Sequence, residues 1–176
     1  MEGDKEMSTN QDELYKRWEK KEIVKVATRK QSKEWRESLE RELPKSLQSM
    51  DKNHCWKGQQ PMSDSTGRQT IDVIGNPKSK NDSAVYIELE AARQTCVRNV
   101  IKVWMNMSKN GANPLFLVHV LSPFFKKRQR GKAESVFIGE QAEKATNGKL
   151  KYKYIQLDEW LSEDELATRI ISEVRK

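Results

Sequence analysis

The sequence predicts an α/β domain: a mixed central β-sheet that contains an antiparallel hairpin, with helices flanking it. Three observations carry this reading. Two short runs, Arg68–Ile74 and Ala84–Glu90, read as strands, with Glu88 alternating between Ile87 and Leu89, and the polar stretch between them, Gly75–Ser83, reads as a hairpin loop. Downstream of the hairpin, helix-like and strand-like segments alternate, as they do where helices pack on the faces of a sheet. The apolar residues are concentrated between Ile71 and Ile171, enough for one core in a chain of 176 residues.

The elements follow in order. Residues 1 to about 10 are polar and read as frayed. Asp12–Val26 carries Leu14, Trp18, Ile23 and Val26 among charges and reads as a helix in an N-terminal extension over 1–28, ahead of a domain over 29–176. A helix from near Ser32 to Leu43 presents Trp35, Leu39 and Leu43 at i, i+4, i+8 spacing, and Pro44 is expected to stop it. Lys45–Gly67 reads as irregular, a length that in a compact domain implies short structure or a function. After the hairpin come a helix over Thr95–Asn110, a buried strand over Leu115–Leu121 and a break at Ser122-Pro123. A basic run over 126–132, a helix near Ile138–Ala145, a strand over Tyr152–Leu157 and a helix over Ser162–Val174 complete the chain. Ser162 and Glu165 have the spacing of a capping box.

Charge and composition narrow the function classes. The formal net charge is +7, which favours a polyanionic partner without distinguishing DNA, RNA and anionic membrane. No apolar run approaches the roughly 18 residues of a membrane span, and the first residues have no signal-peptide core, so a cytoplasmic protein is expected. Two cysteines do not make a disulfide framework. His54 and Cys55 lack a second pair at metal-ligand spacing and read as structural or incidental; His119, alternating with Val118 and Val120, reads as a satisfied core histidine in preference to one on the site-bearing face of the sheet.

The hairpin carries the chemistry. A symmetric turn places Asp72 opposite or nearly opposite Glu88, and alternation puts Glu88 and Glu90 on one face. Three acids gathered at a sheet edge are costly to bury without a cation, which makes them candidate ligands for Mg2+ or Mn2+. The same letters also describe an exposed hairpin whose acids face solvent. Downstream, Asn99 and Lys102 at i, i+3 share one helix surface. Arg93 has the fork that matches phosphate oxygens. Lys126, Lys127, Arg128 and Arg130, beside Phe124 and Phe125, suit phosphate contact or a solvated loop.

Hairpin, acids and following helix together resemble the PD-(D/E)XK nuclease superfamily, the restriction-endonuclease-like fold. Asp72 matches the first acid, Glu88 the (D/E) and Glu90 the last motif position, over about residues 32–121. Two positions depart: Ile71 stands where the family often has proline, and Glu90 where it has lysine, as in the Glu-x-Glu restriction enzymes of the superfamily. The resemblance implies a metal-dependent endodeoxyribonuclease of the restriction or defence kind, acting on nucleic acid with DNA favoured. It implies Asp72, Glu88 and Glu90 as catalytic metal ligands and Lys102 in place of the absent lysine. Glu42 on the preceding helix is the implied further ligand, and a homodimer or partner subunit would serve double-strand cleavage. The alternative is a catalytically inactive nucleic-acid-binding or protein-interaction module of the same fold.

Overall fold

The computed structural model describes residues 30–62, 70–90, 96–110, 113–123 and 130–175, so the expected frayed start, the Asp12–Val26 helix and the 28/29 boundary lie outside the described residues. A five-stranded mixed sheet is built from β1 (His54–Pro61), β2 (Thr70–Pro77), β3 (Ala84–Glu90), β4 (Leu115–Leu121) and β5 (Leu150–Gln156), in that spatial order. β1, β2 and β3 pair antiparallel, whereas β3–β4 and β4–β5 pair parallel. Helix α1 covers 30–50, α2 Cys96–Asn110, α3 Arg130–Ala145 and α4 Glu163–Val174. No helix among the described residues is long and apolar enough to cross a membrane.

The strands alternate between two cores. On one face Leu39, Leu43 and Leu47 of α1 and Leu166, Ala167 and Ile170 of α4 cover Val85, Ile87, Leu89, Val118 and Val120. On the other, Val100, Val103 and Met107 of α2 and Ala142 of α3 cover Leu115, Leu117 and Leu150. Truncating any of the fully buried leucines to Ala removes about 2–5 kcal/mol. Ser162 caps α4 with the expected box, accepting from the Glu165 N–H while Glu165 accepts from the Ser162 backbone.

Several expectations are corrected. Helix α1 does not stop at Pro44 but runs through it to residue 50. Proline deprives the Glu40 carbonyl of its helical donor, yet Leu39, Leu43 and Leu47 continue one buried stripe across the interruption. The Glu40 carbonyl lies against Gly58 of β1, where an added Cβ would come within 2.8 Å of it, so glycine lets strand and helix approach. The second correction is β1, which occupies part of the stretch read as irregular. Along it only Trp56 is buried, its ring lying over Gly75 of β2, so this edge strand has little apolar signature. The third helix and fifth strand also begin earlier than expected, at Arg130 and Leu150.

Candidate metal centre

The β2–β3 pairing is registered at Val73↔Ile87, Ile74↔Tyr86 and Gly75↔Val85; beyond it Asp72, the next residue of β2, reaches β3 through its side chain, which accepts the Leu89 N–H. Across the next two pairings Glu88 faces His119 and His119 faces Tyr154. One row of polar side chains, Glu88, His119 and Tyr154, therefore crosses β3 to β5 near the C-terminal ends of the parallel strands, with Asp72 of β2 beside it, where open α/β sheets receive ligands. Asp72, Glu88 and Glu90 are 3%, 5% and 5% exposed, which excludes the reading of a hairpin with its acids in solvent.

Each acid is held by named partners. Asp72 Oδ2 accepts the Leu89 N–H at 2.7 Å, and Arg36 Nη2 donates to Oδ1 at 2.8 Å. Lys102 Nζ donates to Glu88 Oε1 at 2.7 Å and to the Thr70 carbonyl at 2.8 Å. Asn99 Nδ2 bridges Glu88 Oε2 and Glu90 Oε1 at 3.2 and 3.0 Å. The i, i+3 pair read from the sequence thus does turn to the acids, because the apolar stripe of α2 presses that helix onto the sheet beside β3.

The electrostatics show acids held too close for comfort. Burial and the Asp72 charge push the Glu88 carboxyl up to about 8, against the pull of Lys102. The Cys96 thiol, at the described start of α2, hydrogen-bonds Glu90 and is pushed up to about 12 by burial and by the Glu90 charge. Burial, then the Lys102 charge, hold His119 down at about 3, so its ring is neutral.

The α1 acid that reaches this cluster is Glu40, not Glu42. Two residues along a helix turn about 200° around its axis, so the two cannot share a face. Glu42 is held by Arg41 and Lys45 at 2.8 Å each, which lower its pKa through hydrogen bonds. Glu40 accepts from Arg36 Nε at 2.6 Å and interacts directly with Asp72; burial and that neighbour raise its pKa while Arg36 opposes them. The i, i+4 spacing of Arg36 and Glu40 was visible in the sequence, but the phase of α1 against the sheet was not.

Among the described residues, no three His, Cys, Asp or Glu side chains are gathered tightly enough to cage a cation as they stand. The donor set still suits one. Asp72, Glu88, Glu90 and Glu40 offer the carboxylate oxygens that a hard divalent ion prefers. Burial first, then the Asp72 charge, disfavours the charged form of Glu88, and a bound cation would favour it. Arg36 and Lys102 now provide the neutralisation, so an entering cation would compete with the Lys102 ammonium for Glu88. Arg93, Lys126, Lys127 and Arg128 lie outside the described residues, as does the side chain of Arg130 at the start of α3. The described ends that flank them, Glu90 and Leu121, pair with each other at the acid end of the sheet.

Comparison with protein-family models, curated proteins and solved structures finds no match to this chain.

Proposed function

We propose that this chain is a metal-dependent nuclease that hydrolyses phosphodiester bonds, with DNA as the favoured substrate and the buried row Asp72–Glu88–Glu90 as its centre. The observation that carries the reading is Lys102. Arriving from α2, its ammonium stands 2.7 Å from Glu88, supplying beside the acids the positive charge that the Glu90 position lacks. Asp72 and Glu88, with Glu40 from α1, would hold Mg2+ or Mn2+. When bound, such an ion activates water and offsets charge on the scissile phosphate. Asn99 fixes the rotamers of Glu88 and Glu90, and Glu90 orients or deprotonates the attacking water. Lys102, once released from Glu88, stabilises charge developing on the phosphate. The +7 charge, including the run at 126–132, draws the polyanion to the site from a cytoplasmic location.

Cleavage of supercoiled plasmid and single-stranded DNA, with Mg2+, Mn2+ or EDTA, tests this. Metal-dependent nicking that is lost in Asp72→Ala is the expected outcome. A specific observation favours a second reading, an inactive nucleic-acid-binding or interaction module: Asp72 and Glu88 each already have an internal cation, at 2.8 and 2.7 Å. Folded protein that binds DNA without cutting it under any of these conditions would decide for that reading. If binding occurs, replacing Lys126, Lys127 and Arg128 by Ala reduces the slope of log affinity against log salt by about 3.

A further inference from the structure

Between Glu88 and Tyr154 in the row lies a side chain that the carboxylate chemistry does not use. His119 is fully buried on the acid-bearing face of β4. Its Nδ1 is 2.9 Å from Tyr152 Oη, and Tyr152 in turn hydrogen-bonds Ser135 of α3. Its Nε2 is buried with no hydrogen-bond partner among the described residues. A buried polar nitrogen left unpaired costs about 1–3 kcal/mol, which marks it for explanation. The two ring nitrogens point in roughly opposite directions, so an Nδ1 committed to β5 leaves Nε2 turned away from β5. The His119 ring also feels the charge of Lys102, the ammonium bonded to Glu88.

We infer that His119 Nε2 is a nitrogen ligand of the divalent-cation site, which favours an imidazole-accepting transition metal over Mg2+ as its occupant. The inference rests on the metal-site reading above and adds the identity of the metal. Directly paired residues on adjacent strands hold their Cβ atoms about 5 Å apart, within reach of a shared ion for a Glu and a His. Carboxylate oxygens alone suit Mg2+, Ca2+ and Mn2+, whereas imidazole suits Fe2+, Ni2+, Cu2+ and Zn2+; Mn2+ serves below as the spectroscopic probe of the site. The tautomer is available: both hydroxyls of the Ser135–Tyr152 pair can reverse, so Nδ1–H donates to Tyr152 Oη and Nε2 keeps its lone pair. A hydrogen bond from the remote ring nitrogen is the usual support for a metal-bound histidine. The support is itself built in, since a methyl at Gly139 of α3 would overlap the Tyr152 ring.

The test is pulsed electron paramagnetic resonance of the full chain loaded with Mn2+ alone. The chain has two histidines, and both ring nitrogens of His54 are engaged, by Asp51 at 2.7 Å and the Ser83 carbonyl at 2.9 Å. Imidazole nitrogen modulation on the bound ion, retained in His54→Gln and lost in His119→Gln, is expected. Tyr152→Phe, which removes only the outer partner, is expected to weaken Mn2+ binding roughly 10–100-fold and covers the case in which His119→Gln does not fold. Manganese that binds in a manner dependent on Glu88, yet without imidazole modulation, would overturn the His119 ligand and leave the carboxylate site standing. Failure of Mn2+ to bind at all would overturn both.

Discussion

The two histidines sit at opposite ends of one sheet and are held in opposite ways. At the hairpin-turn end, His54 bonds through both ring nitrogens, and Asp51 also accepts from Trp56 Nε1 at 3.2 Å and the Asn53 N–H at 3.0 Å. Burial opposes ionisation of Asp51, but these donors and His54 outweigh it and lower its pKa. At the acid end, His119 keeps an unpaired nitrogen and Glu88 is pushed up to about 8. The first network closes on itself and stabilises the fold. The second is left unbalanced in charge and in hydrogen bonding, which is what a ligand site looks like before its ligand arrives.

Glu88 offers the largest test of that contrast. The unfolded chain loses this proton near 4.5 and the folded chain near 8, so folded protein carries the extra proton between those values. Without divalent ions, the Glu88 contribution therefore falls by on the order of 4 kcal/mol as pH rises from about 4.5 to about 8; the neutral His119, held down at about 3, contributes the opposite way below about 6.5, so the net fall shows between about 6.5 and 8. Urea titrations across this range are expected to show the fall, and Glu88→Gln to flatten it. At the other end, Asp51→Ala strands His54 and the Trp56 N–H and is expected to cost roughly 3 kcal/mol at neutral pH. That loss should leave cation binding unchanged; an altered Mn2+ isotherm would mean that the two ends are not independent. The smallest effects separate the α1 acids. Calorimetry is expected to show weaker cation binding in Glu40→Gln and no change in Glu42→Ala.

Much of this was legible because it was local. The strand character of Arg68–Ile74 and Ala84–Glu90, with the turn residues between them, marked the hairpin. The stripe Val97, Val100, Ile101 and Trp104, extended by Val103 and Met107, marked α2 but not its rotation, since Val100, Val103 and Met107 are buried and Ile101 is exposed. What escaped was set by distant neighbours. Pro44 reads as a helix stop until the leucine stripe beyond it is seen packing on the sheet. The one-sided exposure of β1 hides a strand among glycine, glutamine and proline. Glu40 supersedes Glu42 only once the rotation of α1 is known. For His119 the sequence offers the site-bearing face and the satisfied core as alternatives, and cannot choose because its partner, Tyr152, is 33 residues away on the edge strand.

Thermal unfolding with saturating Mn2+ against EDTA, for wild type and for the Asp72→Asn, Glu88→Gln pair of substitutions, tests the central claim most directly. An ion at about 100 times its dissociation constant adds about 2.7 kcal/mol. In a chain of this size that raises the Tm by roughly 5–10 °C. The account requires that rise in wild type and its loss in the double variant. A Tm indifferent to Mn2+ in wild type, or an equal rise in both proteins, would contradict it.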